Sequence, residues 1–143
     1  MKKANTLELK FERTIAASPK EVYEGWLNPK VPGTPWHEHD DLILNVKKNG
    51  LYYWLTKNTA HYGRFLELKK GSRIQLTWMS QYTLGVESTV TCTFKKHGDG
   101  TLMTLVHSGL PKDEKAKAHE GGWNYFMDKI VEQYAKKVSR KKK

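Results

Sequence analysis

A single cysteine, Cys92, stands in the 143 residues, which excludes an intrachain disulfide and any zinc site built on thiolates. Long apolar runs are missing as well. No stretch approaches the ~20 consecutive apolar residues of a membrane span, and Met1-Lys2-Lys3-Ala4-Asn5-Thr6 leads into no apolar segment of the secretory kind. A cytoplasmic domain is therefore expected. Enzyme signatures are equally scarce. The chain carries no Gly-x-Ser-x-Gly elbow and no Gly-x-x-x-x-Gly-Lys-Ser/Thr phosphate loop. Gly98-Asp99-Gly100 reads as a hairpin turn, and the acidic residues fall on polar faces without forming a buried pair.

Acidic residues are outnumbered: 25 Lys and Arg stand against 15 Asp and Glu, a formal charge of +10. Six of the basic residues (Lys136, Lys137, Arg140, Lys141, Lys142, Lys143) fall in the last eight positions, so residues 1–135 carry only +4. Such a tail either attracts polyanions or serves as a solvated helix end that complements the helix dipole. No nucleic-acid-binding motif accompanies it, so no nucleic-acid partner is expected. The length predicts one domain, divided as an N-terminal extension (1–6), the domain itself (7–138) and a basic tail (139–143).

What is present is regular patterning. Leu7, Leu9 and Phe11 alternate with Glu8, Lys10 and Glu12, the signature of a half-buried strand running to about Ile15. Ser18-Pro19-Lys20-Glu21 is a capping box with proline in the first turn, and it opens a helix that ends at Asn28-Pro29. Residues 29–41, rich in proline and carrying Trp36, form an irregular connection. Strands are then predicted at Leu42–Val46, Leu51–Thr56, His61–Leu68, Arg73–Met79, Val86–Lys95 and Thr101–Ser108, separated by turn signals such as Asn49-Gly50 and Lys57-Asn58. From Asp113, a plausible N-cap, the period becomes helical to about Val138. Trp123, Phe126, Met127, Ile130, Val131 and Tyr134 make one apolar stripe. Gly121-Gly122 inside it implies a broken helix or a close approach by a neighbour, since each glycine costs up to ~1 kcal/mol there. A single sheet with one long amphipathic helix must bury that helix against its concave face.

Several strings, in their order, carry a resemblance: Glu12-Arg13-Thr14-Ile15, Ser18-Pro19-Lys20-Glu21-Val22-Tyr23, Trp26, Asn28-Pro29 and Trp36. Asn49-Gly50-Leu51-Tyr52, Gly63-Arg64-Phe65-Leu66-Glu67-Leu68, Gly100-Thr101-Leu102-Met103-Thr104-Leu105, His107-Ser108-Gly109-Leu110-Pro111, His119 and Gly122-Trp123 continue it. Together they resemble the START-like (SRPBCC, birch-pollen-allergen-like) helix-grip superfamily. Within it the chain is most similar to the family of the heat-shock protein 90 ATPase activator C-terminal domain. The resemblance implies an α+β helix-grip fold: a curved antiparallel sheet of six to seven strands around a long C-terminal helix, with one or two short helices after the first strand. It also implies a range of roles, among them co-chaperone domains, hydrophobic-ligand carriers and cyclases.

The candidate site is the space between sheet and helix. Aromatic residues make up 11% of the chain, and Trp26, Trp36, Tyr52, Trp54, Phe65, Trp78 and Trp123 take inward positions. Strand alternation adds Val90, Cys92, Met103, Leu105 and His107, and the helix stripe adds Met127 and Ile130. These residues either line a cavity for a small apolar ligand or fill a solid core. His107 is a polar anchor, a proton-transfer group or a hydrogen-bonded structural residue, and Cys92 a buried thiol or a nucleophile. His37-Glu38-His39-Asp40-Asp41, joined by His61 or His119, would be the one metal-like cluster, but a solvated loop fits it better and no metal or cofactor is expected. The leading expectation is a non-enzymatic ligand-binding domain. A chaperone-directed or other protein-binding module is the alternative, and an enzyme working through His107 in the same cavity is the third reading.

Overall fold

In the computed structural model the backbone is described for residues 6–141 and the side chains through Ala135. The first strand, β1 (Thr6–Ile15), keeps the alternation read from its sequence. Helix α1 (Pro19–Trp26) follows, with the Ser18 hydroxyl accepting from the Glu21 amide at 3.2 Å. A 3₁₀ turn at Pro35–His37 interrupts the next connection. Six strands come in sequence: β2 (Asp41–Leu44), β3 (Leu51–Thr56), β4 (Thr59–Lys69), β5 (Arg73–Trp78), β6 (Ser88–His97) and β7 (Gly100–Pro111). A second 3₁₀ turn, Gln81–Thr83, lies between β5 and β6, and the chain closes with α2 (Glu114–Lys117) and α3 (His119–Lys141).

The seven strands form one antiparallel sheet in the order β1-β7-β6-β5-β4-β3-β2. This is the expected α+β helix-grip architecture. No helix among the described residues is long and apolar enough to cross a membrane. Curvature enters through β4, whose first half pairs with β3 and whose second half pairs with β5. At the bend sits Gly63, where a Cβ would run into the Thr77 carbonyl and the Tyr52 ring. The Tyr52 hydroxyl crosses that bend and donates to the Thr77 carbonyl at 2.7 Å. A glycine covered by an aromatic ring is one way a sheet turns a corner without losing packing.

Three local expectations change. The strand expected at Leu42–Val46 ends at Leu44. Residues 45–50 form a longer loop in place of an Asn-Gly hairpin, with Asn49 at φ +66° and the Asn49 and Gly50 backbones bonded to Phe65. The C-terminal helix is not continuous from Asp113: it breaks at Ala118, between α2 and α3, and Gly121-Gly122 lie inside unbroken helix. Finally, α3 runs to Lys141, so the backbone of 139–141 continues the helix, while Lys142 and Lys143 lie outside the described residues.

Helix α3 is held from both sides. Arg13 of β1 reaches Asp128 at 2.9 Å and Asn124 at 2.8 Å. The 27–40 connection presses on the other flank, where Gly33 (φ +102°) lies so close to Ile130 that any side chain would collide. This connection carries Trp36 into the centre of the molecule, with its ring 5.0 to 6.2 Å from those of Trp26, Tyr52, Trp54 and Trp78.

Candidate functional site

The space between sheet and helix is divided unequally. Ten of the fourteen residues expected there (Trp26, Trp36, Tyr52, Phe65, Val90, Cys92, Met103, Leu105, Met127 and Ile130) are buried in a contiguous core and do not line the pocket at the start of α3. Their side chains meet one another because α1 and the Trp36 loop fill the hollow that a bare sheet and helix would leave. An opening survives at one end, around the first two turns of α3. It is a pocket of about 320 Å³, roughly ten waters at ~30 Å³ each. Trp54, His61 and Trp78 form its sheet side, Tyr82 of the second 3₁₀ turn its rim, and Ala118, His119, Gly122, Trp123 and Phe126 its helix side.

Of the expected residues, Trp54, Trp78 and Trp123 line this pocket. Their rings pack around Trp78, with centroids 5.7 Å to Trp54 and 5.0 Å to Trp123. His107 sits directly behind the wall and is fully buried. Its environment fixes its tautomer. The Trp123 indole N–H donates to His107 Nδ1 at 3.0 Å, so that nitrogen is an acceptor. The Ser88 hydroxyl spends its only proton on the Trp78 carbonyl at 2.6 Å. It must therefore accept from His107 Nε2–H, 2.7 Å away. Burial, and secondarily the neighbouring His119, push the His107 pKa down to about 2. Both ring nitrogens are engaged and the ring is held neutral, which fits the hydrogen-bonded structural reading of His107 better than proton transfer. His107 ties α3 to strands β5 and β6.

The other two histidines at the pocket were not among the expected cavity residues. His61 is opposite Trp54 in the β3–β4 register, its Nδ1 bonded to the Trp54 carbonyl at 3.2 Å, and burial lowers its pKa to about 4. His119 donates from Nδ1 to the Ala116 carbonyl at 2.7 Å, and burial lowers its pKa too. Both are therefore neutral imidazoles at pH 7. The signals were present in the sequence: His61 shares strand parity with Phe65, and 119, 122, 123 and 126 fall on one helix face. Gly122 also finds its explanation here, while nothing in the structure explains Gly121. A Cβ at either would meet nothing within 4 Å. Neither expected cause, a break or a close neighbour, applies, and Gly122 leaves the pocket mouth open.

The remaining candidates are structural. Cys92 is fully buried, and desolvation raises its thiol pKa, the opposite of an activated nucleophile. The side chains of His37, Glu38, His39 and Asp40 are spent on holding the loop together and to its neighbours. His37 and His39 bond the Pro29 and Trp36 carbonyls, Asp40 accepts from the Lys57 amide, and Glu38 accepts from the Tyr125 hydroxyl at 2.7 Å. Among the described residues no three His, Cys, Asp or Glu side chains come together as a metal site.

Comparison with known proteins agrees with the geometry. Residues 16–135 match the family model described as "Activator of Hsp90 ATPase homolog 1-like protein". An activator of 90 kDa heat shock protein ATPase homolog from Dictyostelium discoideum is 29% identical over 136 residues, covering 90% of this chain. The chain spans only about a third of that relative's length, 33%. Among solved structures, protein CV1439 from Chromobacterium violaceum superposes with a TM-score of 0.70 at 22% identity, covering 92% of this chain and 97% of its own. The Aha1 dimer from Colwellia psychrerythraea gives 0.71 at 12% identity, with coverages of 90% and 96%. A seven-stranded sheet closed on a C-terminal helix, and a family match over most of the length, place the chain in the family of Hsp90 ATPase activator homolog 1-like proteins.

Proposed function

We propose that this domain binds a small, mainly apolar aromatic molecule in the pocket beside the start of α3. The observation that carries the reading is the pocket itself. Three indoles and Phe126 wall it, its polar groups are few, and its volume falls at the lower end of the ~300–1,000 Å³ usual for ligand sites. Binding would quench or shift the emission of Trp54, Trp78 and Trp123, so a fluorescence titration with a panel of aromatic compounds, paired with a melting curve, is the test. Gly122→Phe, which fills the mouth without disturbing the buried core, should abolish binding. A panel that leaves both emission and melting point unchanged defeats the reading.

A second reading, action on an Hsp90-class chaperone, is supported by the named relatives and by the outer face of the sheet. Ile43, Tyr53 and Tyr62 stand side by side across β2, β3 and β4, and Leu51 adds a further exposed apolar side chain. Ile43 and Leu51 are more than 60% exposed, 61% and 64%, and such a cluster fits a protein contact. If the reading is right, the purified chain raises the ATPase rate of the chaperone, and Ile43→Asp with Leu51→Asp removes the effect. An unchanged rate with the wild-type chain rejects it.

A further inference from the structure

The pocket's polar atoms carry information beyond its shape. No Lys, Arg, Asp or Glu stands among its lining residues. Two of its three indole N–H groups are already spent: Trp54 donates to the Glu38 carbonyl at 2.9 Å and Trp123 to His107. His61 is tied to the backbones of Trp54 and Thr59. Two groups without a hydrogen-bond partner bear on what the pocket can hold. One is the Trp78 Nε1–H, buried. The other is His119 Nε2, which must be an acceptor because Nδ1 holds the ring proton for Ala116. The Trp78 N–H is unsatisfied already, and an apolar guest that expels water from the half-buried His119 leaves that acceptor unsatisfied as well, which is costly in a desolvated site.

Building on the ligand-binding reading above, we propose that the site selects a neutral hydroxyl-bearing aromatic ring of the phenol or naphthol class, its O–H donating to His119 Nε2. A hydroxyl is the smallest group that offers His119 a donor. An ionised carboxylate finds no cation in the wall, and at pH 7 neither pocket imidazole supplies one, because burial holds both below their ordinary value. Such a group would surrender its hydration without a paired charge. The site therefore discriminates against aromatic and fatty acids by electrostatics, while shape governs the ring system.

The test uses one ring system in three chemical forms: 2-naphthol, naphthalene and 2-naphthoate, titrated at pH 7 by tryptophan fluorescence. The expected order is naphthol tightest, naphthalene about five- to tenfold weaker, and naphthoate at least tenfold weaker than naphthol. His119→Leu should reduce naphthol to the affinity of naphthalene, and His119→Gln, which keeps an acceptor, should restore part of the difference. Should His119→Leu fail to fold, the ¹⁵N resonance of wild-type His119 Nε2 reports the same bond, moving with naphthol and not with naphthalene. Naphthoate binding as tightly as naphthol, or naphthol no tighter than naphthalene, overturns the inference while leaving the pocket reading intact. Binding of none of the three removes both.

Discussion

The two ends of the space under α3 are built from the same kinds of residue and behave differently. Towards the middle of the helix, Trp26, Trp36, Tyr52 and Phe65 pack with Met127 and Ile130 into the buried core. Around its first two turns, Trp54, Trp78, Trp123 and Phe126 wall a pocket. The difference lies in what the neighbouring segments contribute. The 27–40 connection drives a whole indole into one end, whereas α3 presents Gly122 to the other. Aromatic content alone does not distinguish a core from a site; the presence or absence of a filler does.

Removing the filler breaks the comparison most severely. Trp36→Ala should cost about 3–5 kcal/mol, the usual loss for a deleted core aromatic, read as a fall in the denaturant midpoint. A loss below 1 kcal/mol would mean that the closed end is not the keystone described here.

Acidification comes next in size. His61 and His107 have folded pKa values pushed below their ordinary 6.5, to about 4 and about 2. The unfolded chain therefore takes up protons first as pH falls, and stability present above about pH 6.5 is lost on the way down. Between pH 6 and 4 each histidine contributes a slope of roughly 1.4 kcal/mol per pH unit. His107→Gln should remove one proton's worth of that slope in denaturation curves taken across the range. An unaltered slope would show that His107 is not held neutral.

The open end gives the opposite sign. Gly122→Ala should stabilise the protein by up to ~1 kcal/mol, since the position is helical and its side is empty. Gly33→Ala, with positive φ and Ile130 against it, should destabilise. If both glycines respond alike in thermal melts, the contrast between the ends is lost. Smallest is Asp128→Asn, which weakens an exposed pairing with Arg13 and should cost about 0.2–1 kcal/mol, less in high salt.

Much of this architecture is readable from the chain. The alternation of Leu7, Leu9 and Phe11, the Ser18 cap and the turn at Lys57-Asn58 all act locally, through backbone sterics and side-chain parity. The site is less legible. The pocket depends on where Trp36 ends up, and nothing near residue 36 says that its ring meets Tyr52 and Trp78. His61 and His119 become neighbours only through the β3–β4 register and the break at Ala118, both long-range outcomes. The Gly121-Gly122 pair announces itself as anomalous, but the reason for Gly122, an unobstructed mouth, needs Tyr82 and Trp54 in place around it. The identity of the His107 proton required three partners, Trp78 of β5, Ser88 of β6 and Trp123 of α3.

The pairing of β1 with β7 sets the timetable of folding. Nine residues of β1 have their partners roughly a hundred positions later, at Thr101–Pro111. At synthesis rates of about 5–20 residues per second, β1 waits about 5–20 s before a complementary edge exists. During that interval its outward Glu8, Lys10 and Glu12 are the charges that discourage it from pairing with another nascent chain. Arg13 can secure α3 only after that, so the pocket beneath the helix is among the last parts of the molecule to come into being.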